Sequence, residues 1–296
     1  MSSTILFLLS VAVAQITSGD HTRSVDVGGT PREYVIHIPT GYDAPKPHPL
    51  VLIFHGYKEN PATMASDTGL NKKSDQVGFI AVYPSGSGNP LSWNAGTCCN
   101  PSASDVEFVR ELLKDIDSVA NVDSKRVYAI GMSNGAMMAN RLACELPDQI
   151  AAIGTVAGTR MIEPCSPNRA VPVVHFHGTS DRVIPFNGGG VLPVPSTSAT
   201  DHIAFWVMNN KAAVTAQESV LSTSPMKVTQ KIHLSNGANS AEVVLIEIQG
   251  GGHLWPGQPR PARFSGPEFK FLLGETTRNV SANDVIWDFL KRHELP

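Results

Sequence analysis

The sequence predicts a single α/β domain, a mostly parallel sheet with helices on both faces. Three observations carry that expectation. Short apolar runs recur along the chain, amphipathic stretches at helical spacing lie between them, and no linker long enough to separate two units interrupts the series.

The elements follow in order. Residues 34–39 and 50–55 are apolar runs bounded by Pro and Gly, and 79–83 is a third, so each reads as a strand. Ser104-Asp105-Val106-Glu107 has the form of a capping box, with Ser104 as N-cap and Glu107 three residues on. The helix it opens puts Val106, Val109, Leu112, Leu113 and Ile116 on one stripe. A strand at 126–130, a helix at 136–146 and a strand at 152–156 come next. Residues 171–176 are apolar or aromatic almost throughout, as a strand covered on both faces requires. A helix over 200–210 precedes a hairpin of 227–234 and 242–249 about Asn236-Gly237. Ser281 caps a last helix carrying Val285, Ile286, Phe289 and Leu290. Two stretches are irregular. Residues 188–198 open with three glycines and read as a surface loop, and 258–277 is rich in Pro and Gly, with Phe264, Phe269 and Phe271 as tethers. Long loops in compact domains tend to carry function.

Composition excludes several classes. With 296 residues, 42% of them hydrophobic, the chain is large enough to bury a core and too apolar for intrinsic disorder. The 23 Lys and Arg against 26 Asp and Glu, with no basic run, argue against a nucleic acid or an anionic membrane as partner. Residues 1–14 read as a signal peptide, although Met1-Ser2-Ser3 carries no basic residue. The apolar run is shorter than the roughly 20 residues of a membrane span and ends in Ala12-Val13-Ala14, which fits cleavage after Ala14. The folded domain is then 15–296, and the protein is expected to be secreted or periplasmic. Its four cysteines, Cys98, Cys99, Cys144 and Cys165, agree with an oxidising compartment. Pairing Cys98 with its neighbour Cys99 would close a strained ring. Each is therefore expected to reach a distant partner, which leaves two pairings over Cys144 and Cys165. The spacing is not that of a metal site.

The chemistry begins at Gly131-Met132-Ser133-Asn134-Gly135, a Gly-x-Ser-x-Gly between an expected strand and an expected helix. That context is what a nucleophile elbow needs, because the serine must sit on a tight strand-to-helix turn. A serine hydroxyl needs a base, and the base an orienting acid, in chain order Ser, Asp or Glu, His. Asp181 follows the strand at 171–176, and His253 follows the strand at 242–249 within a glycine run. Both sit where α/β sheets hold their sites, beyond the carboxyl ends of strands. The other histidines read as structural. His37 and His233 lie within strands, His21, His48, His202 and His293 at surface positions, and His55 in an earlier loop. His175 and His177 flank Phe176 as packed polar partners. The backbone N–H groups of Asn134 and Tyr57 are the expected oxyanion hole.

These residues resemble the secreted esterases related to polyhydroxybutyrate depolymerases and to feruloyl and acetylxylan esterases. The resemblance runs through Phe54-His55-Gly56-Tyr57, Gly78-Phe79-Ile80-Ala81-Val82-Tyr83-Pro84, Ser92-Trp93-Asn94-Ala95-Gly96, Cys98-Cys99 and the Ser133 elbow. It continues in His175-Phe176-His177-Gly178-Thr179 and Gly251-Gly252-His253-Leu254-Trp255-Pro256-Gly257. It implies an α/β-hydrolase fold, the triad Ser133, Asp181 and His253, and no metal or organic cofactor. Two positions depart from the pattern: Asn209-Asn210-Lys211 holds no cysteine, and Lys58 follows Tyr57. Tyr57, Trp93, Phe186 and Trp255 are candidate walls of an acyl or phenolic pocket, and no insertion forms a lipase-like lid domain. The expected substrate is a plant cell-wall ester, feruloyl or acetylxylan, with a polyester depolymerase as the alternative. A serine peptidase and a catalytically silent binding protein are more distant readings. Asn279-Val280-Ser281 is a glycosylation sequon.

Overall fold

A computed structural model describes residues 16–190 and 195–296, so the expected leader and part of the 188–198 loop lie outside the described residues. Among the described residues ten strands form one sheet: β1 Gly19–Val27, β2 Thr30–Ile38, β3 His48–Phe54, β4 Ile80–Pro84, β5 Val122–Met132, β6 Ala152–Val156, β7 Val173–Gly178, β8 Gln217–Ser222, β9 Val228–His233 and β10 Val243–Ile248. Their spatial order is β1-β2-β4-β3-β5-β6-β7-β10-β9-β8. The six central strands from β4 to β10 run parallel, and antiparallel strands extend the sheet at both ends. The α/β class expected from the sequence is the one observed.

Central strands are buried on both faces, and the period of two sorts their side chains into two layers. In β3, Leu50, Leu52 and Phe54 join one core layer, while Val51 and Ile53 join the other. The first layer is closed by α3 (Asp105–Asp117), α4 (Asn134–Glu145) and α5 (Ala199–Asn209), through Phe108, Leu112, Leu142 and Trp206. The second is closed by α1 (Pro61–Thr68), α2 (Leu70–Val77) and α7 (Ala282–Leu290), through Met64, Leu70, Ile286 and Phe289. Each fully buried Leu, Ile or Phe contributes about 1.5–3 kcal/mol, so these two layers hold the sheet. The remaining helix, α6, is Pro267–Leu273.

Three expectations are corrected. The cysteines form two disulfides, but Cys144 pairs with Cys165 at a Cα separation of 5.2 Å, and Cys98 pairs with Cys99. The end of α4 carries Cys144 to Cys165. Meanwhile Ala95 N–H donates to the Cys98 carbonyl (2.5 Å) and Asn94 bridges to Cys99, folding that loop back on itself. Ser104 occupies the N-cap of α3 without a side-chain cap bond. Its neighbour Asp105 turns inward instead, fully buried, accepting from Arg32 Nη2 at 2.8 Å and Asn94 N at 2.7 Å. Arg32 also stacks 4.2 Å above Phe108. Breaking such a buried pair costs about 3–5 kcal/mol, far more than a cap bond contributes. His202 is buried, 1% exposed, because α5 turns it inward beside Ile203 and Trp206. Ser281 does cap α7, accepting from Asp284 N at 3.2 Å. No helix among the described residues is long and apolar enough to cross a membrane.

Candidate active site

The C-terminal ends of β3, β5, β7 and β10 converge on one cavity, as parallel sheets arrange it. At the end of β5 the chain turns into α4 through Ser133, whose φ of 56° and ψ of −123° are strained for a side chain. The turn is held by Ser133 N–H on the Val156 carbonyl (2.9 Å) and Met137 N–H on the Ser133 carbonyl (3.0 Å). Glycines on either side are steric necessities. A Cβ at Gly131 would lie 2.5 Å from the Gly135 carbonyl carbon and oxygen, and one at Gly135 would collide with the Phe54 carbonyl oxygen. The elbow is thereby pressed onto the end of β3.

Asp181 lies just past β7. Its Oδ1 accepts from the Val183 and Ile184 amides at 2.8 and 2.9 Å, an Asx-type turn, and its Oδ2 lies 2.8 Å from His253 Nδ1. Burial pushes the Asp181 carboxyl up, but the His253 charge and hydrogen bond, with help from His177 and the Ile184 amide, outweigh it and hold the group below the usual carboxylate range. With Nδ1 committed to Asp181, Nε2 is the nitrogen His253 has left for the cavity, which it lines together with Ser133. The His253 amide donates to the Leu273 carbonyl (2.6 Å) and the Gly252 amide to Glu275 (2.6 Å), so the 258–277 stretch cradles the His253 loop. Among the described residues, neither the Tyr57 nor the Asn134 amide donates to another protein group. Asn134 is the first residue of α4, whose leading amides have no helical partner.

The cavity measures about 490 Å³. Met132, Leu254, Trp255, Phe264, Phe269 and Leu273 give it apolar walls, and Tyr57 and Lys58 stand at its edge. Trp255 donates its indole N–H to Asn283 Oδ1 at 2.8 Å. Across the cavity Arg263 pairs with Asp67 and, at 2.8 Å, with Glu59, while Glu59 also accepts from the Gly56 amide at 3.0 Å. That network is not legible in the sequence, its partners lying about 200 positions apart; nor is α6, which stands where a loop is expected. Two expected pocket walls are elsewhere. Trp93 is fully buried in the core, edge-on to Phe54, and Phe186 packs edge-on against His177 outside the cavity lining.

Beneath the site four histidines are buried: His55, His175, His177 and His202. His177 Nε2–H donates to the Ile184 carbonyl (2.7 Å), so its Nδ1 accepts from His175 Nε2–H (3.0 Å), and His175 Nδ1 accepts from Thr155 Oγ1 (2.8 Å). This one-way chain ends on the turn that carries Asp181. Burial, then the Arg32 charge, brings His55 down to about 4 even against its bond to Gly56; burial, then His177 and Arg160, brings His202 to about 3. Both stay neutral in the folded state. Below about pH 6.5 the unfolded chain protonates them and the folded chain does not, so acid favours unfolding until the folded values are reached. Each costs roughly 2 kcal/mol on going from pH 7 to pH 5. The melting midpoint is therefore expected to drop by on the order of 10 °C over that interval at constant ionic strength. A flat midpoint would contradict the assignment of neutral buried rings.

A mostly parallel sheet with helices on both faces, and a serine at a strand-to-helix elbow that shares a cavity with an Asp–His pair, define an α/β-hydrolase. The chain belongs to the family described as esterase PHB depolymerase, which it matches over residues 32–248. It is 32% identical to a putative esterase, NocK, of Nocardia uniformis subsp. tsuyamanensis, over 90% of this chain and 81% of that protein. It is 31% identical to feruloyl esterase B of Piromyces equi, over 75% of this chain but 42% of that longer protein. Its fold resembles the acetyl xylan esterase from Aspergillus awamori at a TM-score of 0.60 and 16% identity, covering 86% of this chain and 99% of the other. The protein is thus an ester hydrolase of the α/β-hydrolase fold.

Proposed function

We propose that the protein is a secreted serine carboxylester hydrolase acting through an acyl-enzyme on plant cell-wall esters. The observation that carries this reading is the 2.8 Å contact of His253 Nδ1 with a buried Asp181, on the cavity that Ser133 also lines. In the proposed cycle His253 Nε2 takes the Ser133 proton as Oγ attacks the ester carbonyl, and Asp181 keeps the imidazole in the required tautomer. The amides of Tyr57 and Asn134 stabilise the oxyanion, His253 protonates the leaving alcohol, and water repeats the sequence on the acyl-enzyme. Apolar walls with Trp255, Phe264 and Phe269 suit an aromatic or short apolar acyl group. The similarity to a protein named feruloyl esterase supports the same class.

The family's own description keeps polyester depolymerisation as the second reading. One parallel product assay separates them, using feruloylated arabinoxylan, acetylated xylan and amorphous polyhydroxybutyrate, with the Ser133→Ala variant as blank. Ferulate or acetate release is expected. Release of 3-hydroxybutyrate oligomers alone would make the protein a depolymerase. Secretion is tested by N-terminal sequencing of exported protein, expected to begin at Gln15.

A further inference from the structure

The two amides proposed as the oxyanion hole belong to different segments. Tyr57 follows β3, and Asn134 begins α4. One buried residue ties both. Trp93 donates its backbone N–H to Asn134 Oδ1 (2.7 Å), and its carbonyl accepts from Asn134 Nδ2 (3.2 Å). Its indole Nε1–H donates to the His55 carbonyl at 2.9 Å. Trp93 thus reaches both segments, its backbone meeting the Asn134 side chain and its indole the His55 carbonyl, while its own carbonyl also accepts from the Cys99 amide at 3.1 Å.

The connection continues into the Tyr57 amide itself. The Gly86 amide donates to His55 Nε2 at 2.9 Å, so the ring proton sits on Nδ1, which donates to the Gly56 carbonyl at 2.8 Å. That carbonyl and the Tyr57 N–H share one planar peptide unit, so holding the oxygen fixes where the N–H points. The preceding unit is held at both ends as well, its carbonyl by Trp93 Nε1 and its Gly56 N–H by Glu59 Oε2 at 3.0 Å. We propose that Trp93, acting with the His55 imidazole, is a positioning residue that sets the two oxyanion amides relative to each other. This rests on the serine-esterase reading above. It also reassigns Trp93 from pocket wall to support of the site.

Trp93→Phe removes the indole donor and keeps the ring against Phe54. Oxyanion donors act only if they stand where charge develops, and losing one outright costs about 10²–10³ in rate. Displacing one is expected to lower kcat about tenfold, with KM changed less than twofold. The affinity of a boronic acid analogue of the tetrahedral state should fall by the same factor as kcat/KM. Rates are taken per site titrated with a fluorophosphonate, so that loss of folded protein does not count. Unchanged kcat per titrated site, or a fall in kcat without weaker boronate binding, would overturn the proposal. If Trp93→Phe does not fold, two substitutions at His55 decide between the outcomes. His55→Asn keeps a donor near the Nδ1 position and is expected within about threefold of the parent, while His55→Ala loses tenfold or more. Equal losses in the two variants would overturn it. A parent protein that the fluorophosphonate does not label at Ser133 would sink the serine reading and this inference together. Labelling at Ser133 with unchanged Trp93→Phe kinetics sinks the inference alone.

Discussion

Replacing Ser133 with alanine is expected to lower kcat on a small aryl ester by on the order of 10⁶-fold, with fold and substrate binding kept. The size follows from how the parts act together. In the proposed cycle, removing Oγ removes the acyl-enzyme, so His253 and Asp181 have no nucleophile to activate, and only the proposed oxyanion amides and binding remain to accelerate attack by water. Alanine also retains a Cβ, so the strained φ of 56° at this position is unchanged and the melting midpoint should stay within a degree or two. Ser133 is partly exposed in the cavity, so its hydroxyl is not holding up the core. The measurement is kcat with thermal melting on the same preparation. Residual turnover above about a thousandth of the parent, in protein free of contaminating esterase, would put the nucleophile elsewhere.

Much of this architecture is legible because the central strands are covered on both faces. Residues 50–54 are a continuous apolar run and 173–176 are broken only by His175, a pattern that buried parallel strands favour. β1 and β8 escape notice for the opposite reason. β1 reads Gly-Asp-His-Thr-Arg-Ser-Val-Asp-Val and β8 is exposed along nearly its whole length, so neither carries an apolar stripe. β1 is instead fixed by its ladder with β2, where Asp20 meets His37, and by a partner far along the chain, Arg23 meeting Asp115. The helices α1 and α2 have eight residues each, too short to show a stripe, although Asn60 and Thr63 form a capping box that the sequence does offer. Ser133, Asp181 and His253, the proposed triad, stand out because each follows a legible strand. His202 faces inward, not outward as expected, and its spacing of four from Trp206 on an apolar helix is the signal of that face. Trp93 is a brace where a wall is expected, because aromatic character alone does not tell the two apart; only hydrogen-bond partners do.

Replacing Asp181 with asparagine is the sharper test of the site, because the surrounding amides dictate how the new side chain must lie. Val183 and Ile184 both donate to Oδ1, at 2.8 and 2.9 Å, and that position accepts only an oxygen. The asparagine amide nitrogen is therefore forced to the Oδ2 position, 2.8 Å from His253 Nδ1. Two donors cannot face each other, so Nδ1 must become the acceptor and the proton must move to Nε2. That tautomer presents Ser133 with a donor where the proposed mechanism needs a base. A loss of about 10⁴ in kcat is expected, with KM within a few-fold, and little change in melting because shape and turn are kept. His177 offers no substitute. It stands 3.8 Å from the same carboxylate oxygen, and its Nε2 proton is already given to the Ile184 carbonyl. An Asp181→Asn enzyme keeping a tenth or more of the parent kcat would mean that another acid orients His253.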